Sequence, residues 1–313
     1  MTSTRDNAAG PERSASFTAF GLRAEAQPLA PGLHVVATPI GNLGDITFRA
    51  LATLAAADAV IAEDTRVSKT LLAHYGIATP LVAYHEHNAA VIRPHLLARL
   101  EGGAALALIS DAGTPLVSDP GFKLVAEALE RGVQVTSAPG PSAVLAALVV
   151  AGLPTDRFFF EGFLPQKSAA RRQRAAALKS VPGTLVMFES PRRLAESLDD
   201  LAAVLGDRQA AVCRELTKRF ETVRRGSLAQ LAGEFAAEPP PKGEIVIVVG
   251  PPGEPDEAAA QGDVDAKLNA ALARHSVKDA AAIVAGETGQ PRRKVYARAL
   301  EIAASREMDP DEK

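Results

Sequence analysis

Short apolar runs, each ended by a turn signal, recur through the first half of the chain. Leu33-His34-Val35-Val36-Ala37 stops at Thr38-Pro39, and a glycine-containing turn at 40–44 precedes a helical pattern from Asp45. Further strands are expected at 58–63, 81–84, 104–110 and 132–137. The helical stretches between them are long enough for crossovers, so a mostly parallel sheet follows. Ser142 is placed to cap the Ala-rich helix 143–151, which Gly152-Leu153-Pro154 breaks.

A second block starts with a strand at 157–163. It continues through a basic segment at 166–179, strands at 184–188, 209–214 and 244–249, and a helix at 192–205. Several of these strands lack an intervening helix, which predicts mixed strand directions. The stretch 251–265 is rich in Pro, Gly, Ala and acids and reads as a linker. Beyond it, Ser276-Val277-Lys278-Asp279 resembles a capping box and Pro291 suits the first position of a helix. The expected organisation is a flexible tail (1–31), an N-terminal α/β domain (32–152), a C-terminal α/β domain (153–250), a linker (251–264), a small helical domain (265–306) and a short tail (307–313).

The composition agrees with this size. The 313 residues are 47% hydrophobic and 23% charged, enough for two compact domains with appendages. Cys213 is the only cysteine, so neither an intramolecular disulfide nor a cysteine metal site is expected. The first thirty residues hold no signal-peptide core, and no segment reaches the ~18 apolar residues of a membrane helix. The expectation is a cytoplasmic protein without metal or membrane. Net charge is −3, but residues 165–225 hold 13 Lys/Arg against 7 Asp/Glu, leaving the rest of the chain at −9. Such asymmetry suggests a domain that meets an anion.

Candidate chemistry gathers in loops at the predicted carboxyl ends of strands, where an open α/β sheet places ligands. Thr38 to Asn42 follows the first strand, Ser110 to Pro115 the fourth, and Pro139-Gly140-Pro141-Ser142 the fifth. Glycines let the backbone approach a ligand, and Asp111 offers an acceptor suited to ribose hydroxyls or an amine. Tight turns without a ligand would look similar one at a time; three at equivalent strand ends favour a site. Neither a G-x-G-x-x-G fingerprint nor a Gly-Lys-Ser/Thr loop is present, which points away from a dinucleotide or nucleoside triphosphate.

Nine motifs together resemble the ribosomal RNA small-subunit methyltransferase I family of the tetrapyrrole-methylase superfamily. In the first half they are Thr38-Pro39-Ile40-Gly41-Asn42-Leu43, Ala62-Glu63-Asp64-Thr65-Arg66, His85-Glu86-His87-Asn88, Ser110-Asp111-Ala112-Gly113-Thr114-Pro115 and Pro139-Gly140-Pro141-Ser142. In the second they are Glu161 to Pro165, Phe188-Glu189-Ser190 with Arg192-Arg193, Arg214 to Lys218, and Lys242-Gly243-Glu244. The resemblance covers about 33–250 and implies two α/β domains that hold S-adenosylmethionine in the cleft between them. It also implies a homodimer and 2′-O-methylation of a cytidine in the decoding region of 16S rRNA, within the small ribosomal subunit. By resemblance, Pro39, Ile40, Asp111, Gly113, Thr114, Ser142 and Ala143 contact the cofactor from the first domain. Glu189, Arg214 and Gly243 cover its adenine side from the second.

A ribose hydroxyl is a poor acid, so a group that accepts its proton or steadies the alkoxide is expected. Glu63, Asp64 and Arg66 follow the second strand, and they are the candidates. The alternative for this motif is a helix N-terminus with acids on its dipole and an internal ion pair. Lys167, Arg171, Arg172 and Arg174, with His85, are candidates for RNA contact, because the basic run contains no acid of its own; a solvated face is the competing explanation. Two other functions stay open. One is methylation of a tetrapyrrole precursor or other small molecule on the same fold, and the other is a catalytically silent nucleotide- or RNA-binding module.

Overall fold

The computed structural model of the chain describes residues 15–117, 121–253 and 257–308. It begins with a hairpin, β1 (Ser16–Ala19) and β2 (Leu22–Glu25), whose turn residues Phe20 and Gly21 both have positive φ. That geometry suits the right-handed twist of a two-residue hairpin. The expected tail is therefore corrected over 16–25, while 1–14 lies outside the described residues. Phe17 buries its ring in the first domain's core and the Thr18 amide donates to the Tyr75 carbonyl at 2.7 Å, so one aromatic and one hydrogen bond dock the hairpin.

The first α/β layer runs β3 (Gly32–Val36), α1 (Phe48–Ala56), β4 (Ala59–Ala62), α2 (Thr65–His74), β5 (Leu81–Ala83), α3 (Ala89–Glu101), β6 (Ala105–Leu108), α4 (Phe122–Glu130), β7 (Val135–Ala138) and α5 (Ala143–Ala151). Its five strands are parallel in the order β5-β4-β6-β3-β7. Alternate residues enter opposite cores: Val60 packs with Leu51 and Leu54, and Ile61 with Leu97, Leu106 and Leu124. Because β6, β3 and β7 are adjacent, the loops after them meet in space although 70 to 100 residues separate the first from the others.

The second layer comprises β8 (Phe158–Phe163), α6 (Ser168–Leu178), β9 (Thr184–Glu189), α7 (Leu194–Leu205), β10 (Gln209–Arg214), β11 (Thr222–Ser227), α8 (Leu228–Ala237) and β12 (Ile245–Val249). The order is β11-β10-β12-β9-β8, with β8 and β9 parallel and the other pairs antiparallel. Helices α6, α7 and α8 cover one face through Leu178, Leu198 and Leu231. The other face packs through Val186, Ala211 and Val248 on Val144, Ala147 and Leu148 of α5. Helix α5 is apolar all round, but only the face carrying Val144, Ala147, Leu148 and Ala151 is covered; Leu145 and Val149 are exposed. It also fixes the second sheet beside the ligand loops of the first.

A separate unit, Pro252–Lys313, contains α9 (Glu257–Leu272), α10 (Val277–Thr288) and α11 (Arg292–Met308). Its core holds Val264, Leu268, Ala281, Val284, Val295 and Ala299. Ser276 caps α10 by accepting from the Asp279 amide at 3.3 Å, and Gly289 ends it with φ +67. Helix α9 begins inside the stretch expected to be a linker, which corrects that boundary, and α11 runs two residues beyond the expected domain end. Residues 309–313 lie outside the described residues. No described helix is long and apolar enough to cross a membrane.

Candidate functional site

The loop after β3 and the loop after β6 are stitched together by paired hydrogen bonds. The Thr38 amide donates to the Gly113 carbonyl at 2.9 Å, and the Gly113 amide returns one to the Thr38 carbonyl at 3.0 Å. The buried Thr38 hydroxyl donates to the Ser110 carbonyl at 3.1 Å, and the Thr114 hydroxyl ties in the third loop by donating to the Pro141 carbonyl at 3.1 Å. Gly113 has φ +83, and a Cβ there would press against Ile40 Cγ2 at 3.2 Å, so this position needs glycine on two counts. Ser142 caps α5 by accepting from the Leu145 amide at 3.5 Å.

Two adjoining cavities open where these loops face the second sheet. The first, about 370 Å³, is lined by Ile40, Gly113, Thr114, Ser142 and Ala143 on one side and by Phe163, Phe188, Glu189 and Gly243 on the other. The second, about 390 Å³, is lined by Thr38, Pro39, Asp111, Ser68 and Lys218. Ile40, Ala112 and Glu244 belong to both walls. The first cavity combines apolar walls with backbone polar groups and a helix N-terminus, a donor set suited to an adenosine bearing an amino-acid tail. S-adenosylmethionine fits that description. Among the described residues, no His, Cys, Asp or Glu cluster could hold a metal.

Nine of the ten residues carried over for the cofactor line one cavity or the other; Arg214 does not. Its guanidinium donates to the Thr222 hydroxyl at 3.2 Å, the Lys242 carbonyl at 2.9 Å and the Phe220 carbonyl at 3.0 Å, on the far side of β10. Arg214 therefore ties the loop after β10 to the segment that precedes β12. Glu189 does line the first cavity, but its carboxylate is taken up by the Ser190 amide, the Ser197 hydroxyl and the Arg193 guanidinium at 2.5–2.6 Å. Its side chain is fully buried, so only its backbone is available to a ligand.

The acidic motif after β4 divides into two roles. Asp64 caps α2, accepting from the Arg66 amide at 2.8 Å, and its carboxylate pairs with the Arg66 guanidinium at 2.6 Å. Hydrogen bonds from the Arg66 side chain and backbone hold the Asp64 carboxyl down at about 2. Glu63 is half-buried, and burial together with the nearby Asp111 charge raises its carboxyl above the usual value, with His85 acting in the opposite direction. The Asp64 amide donates to Asp111 Oδ1 at 3.1 Å, which fixes the β6 loop beside the β4 loop. His85 begins a turn in which its amide donates to Asn88 Oδ1 at 2.8 Å, and its buried Nδ1 finds no partner among the described residues.

The basic run on α6 is not a free surface. Arg171 is fully buried, with Nε on Asp200 at 2.6 Å and Nη1 on the Gln166 carbonyl at 3.1 Å. As an RNA contact it is overturned. Arg172 is half-exposed but also bonds Asp200, and Arg174 is bound to Glu161 through both carboxylate oxygens. The acids come from α7 and β8, so a charge count confined to the run misses them. Lys167, at the N-terminus of α6, is exposed. Sequence reasoning also missed Lys218 in the second cavity, although it lies in a quoted motif.

Comparison with known proteins agrees with this architecture. The family described as Tetrapyrrole (Corrin/Porphyrin) Methylases matches residues 32–232, and one described as RsmI C-terminal HTH domain matches 258–303. A protein of Mesorhizobium japonicum named ribosomal RNA small subunit methyltransferase I is 56% identical, covering 88% of this chain and 94% of its own length. Proteins of the same name from Pseudomonas aeruginosa and Escherichia coli O157:H7 are 48% and 45% identical, each covering 86% of this chain and 96% and 94% of their own. Among solved structures, a conserved hypothetical protein of Aeropyrum pernix aligns with a TM-score of 0.56 at 22% identity, over 88% of this chain and 98% of that one. A cobalt precorrin-4 methyltransferase aligns with a TM-score of 0.53 at 19% identity, over 70% and 94%. At such identities the structures speak to the fold alone.

Proposed function

The chain belongs to the tetrapyrrole methylase family, among the ribosomal RNA small-subunit methyltransferase I proteins, and from that membership we propose that it 2′-O-methylates a cytidine of 16S rRNA using S-adenosylmethionine. The observation that carries this reading is the pair of adjoining cavities that share Ile40, Ala112 and Glu244. One is apolar with backbone donors, and the other is bordered by Asp111 and Lys218. A cofactor in the first and an acceptor in the second would meet at the shared wall.

Ile40, Gly113, Thr114, Ser142 and Ala143 would hold the cofactor from one side and Gly243 from the other, with Phe163 and Phe188 excluding water. When bound, S-adenosylmethionine supplies an electrophilic methyl group. The protein's share is to place a ribose hydroxyl in line with it, and much of the rate enhancement for such a transfer comes from positioning. Glu63 lines neither cavity, but the loop that carries it is bonded to Asp111 on the wall of the second, and it is the group we assign to accept the hydroxyl proton on its carboxylate oxygen; burial and Asp111 make it more basic than an ordinary glutamate. Asp64 is ill suited, since Arg66 already occupies its carboxylate.

We further propose a homodimer acting in the cytoplasm on the assembled small subunit, as the family resemblance implies. Methylation of a small molecule loses ground on the extent of similarity to the rRNA enzymes, not on α6, whose arginines are largely paired within the fold. Incubation with methyl-labelled S-adenosylmethionine and naked 16S rRNA, small subunits or a tetrapyrrole precursor tests the acceptor class. Label in RNA is expected; label only in the tetrapyrrole would overturn the assignment.

A further inference from the structure

The loop between β10 and β11 is strained and held from several sides. Glu215 and Thr217 have φ +51 and +67, uncommon for residues with a Cβ, and the buried Thr217 hydroxyl has no partner among the described residues. Leu216 is buried in the core below α5, while Arg214 donates to the Phe220 carbonyl and the Thr217 amide donates to Glu221 at 2.6 Å. Non-glycine residues stay in such a conformation when their surroundings over-determine it, and they cluster at ligand sites.

This loop carries three consecutive side chains, Lys218, Arg219 and Phe220, the first of which lines the second cavity. Lys218 lays its stem over Gly41 so closely that a Cβ there would collide with it. Its ammonium donates to Glu215 at 2.8 Å and Glu244 at 3.0 Å, which leaves one of three donors for a ligand in the cavity it lines. Burial works against the charge, but the two carboxylates outweigh it and raise the Lys218 ammonium above its ordinary value. Arg219 is exposed, its guanidinium carbon 5.6 Å from the Phe220 ring centroid, and Phe220 is 64% exposed. A lone exposed phenylalanine needs no explanation. One held by a strained loop, preceded by two cations of which the first lines a ligand cavity, has the combination that grips single-stranded nucleic acid, a charge for the backbone and a ring face for a base.

We propose that Lys218, Arg219 and Phe220 grip a single-stranded segment of the acceptor RNA at the mouth of the second cavity. The proposal rests on the rRNA reading above and replaces α6 as the principal contact with the strand. Phe220→Leu keeps apolar bulk without a stacking face and is expected to raise the Kd for 16S rRNA about tenfold, with Phe220→Trp restoring it. Arg219→Gln is expected to lower the slope of log Kd against log salt by about one. Affinity for S-adenosylhomocysteine, measured by calorimetry, should stay at the wild-type value in all three. Wild-type RNA affinity and salt slope in Phe220→Leu and Arg219→Gln would overturn the proposal, as would loss of cofactor binding together with RNA binding. If the wild-type protein neither binds nor methylates rRNA, the underlying functional reading fails instead.

Discussion

Glu63 and Asp64 are neighbouring carboxylates whose surroundings push them apart. For Glu63 the folded state favours the protonated form, so its stability contribution falls as pH rises through the usual glutamate range. Glu63→Gln should therefore be at least as stable as the wild type at pH 7, yet lower single-turnover methylation by roughly 10²-fold. The wild-type rate should show an acid limb above the ordinary value of 4.5, and the Gln variant should lack it. Asp64 follows the opposite sign: its depressed carboxyl contributes stability that is present above 3.8 and lost as pH falls towards about 2. Asp64→Asn keeps the capping oxygen and should turn over normally. A normal rate in Glu63→Gln would leave proton loss to water after positioning as the mechanism. The sequence motif marks both acids, but the Arg66 pairing that separates them depends on three-dimensional placement.

Helices α6 and α7 are joined by a buried ion pair that no local charge count reveals. Burial favours protonated Asp200, but hydrogen bonds from Arg172, Ser168 and Arg171 outweigh it and hold the carboxyl below its usual range. Its stabilising effect is thus fully present above 3.8 and lost in more acid solution. Arg171→Met should destabilise by about 3 kcal/mol, because a carboxylate only 4% exposed loses a partner. Denaturant titration measures this; a loss below about 0.5 kcal/mol would show the pair to be dispensable. Burial also explains which elements could be read in advance. Strands such as Gly32–Val36, buried at every position, appear as apolar runs. Thr222–Ser227, half-exposed and carrying Arg224 and Arg225, and Leu22–Glu25, exposed throughout, give no such signal. Helix α9 was obscured by the Pro, Gly and acidic residues around its start.

At the scale of the molecule, α5 joins the two α/β layers, and the first cavity exists only where both are in place. A ligand of that cavity should therefore stabilise the native fold. S-adenosylmethionine at 100 times its Kd should add about 2.7 kcal/mol to unfolding. Ala143→Leu, which fills the cavity from the first turn of α5, should weaken binding roughly tenfold, about 1.4 kcal/mol, and reduce that gain accordingly. The ligand loops were readable because glycine and proline punctuate each strand end. The acceptor side was not, since Lys218 reaches it from the other domain. The most direct test of methyl transfer to a ribose hydroxyl is nucleoside mass spectrometry of small-subunit RNA after a single turnover, with wild-type protein and with Ala143→Leu at sub-saturating cofactor. The account predicts 2′-O-methylcytidine with the wild type and much less with the variant; a methyl group on a base, or none despite bound cofactor, would contradict it.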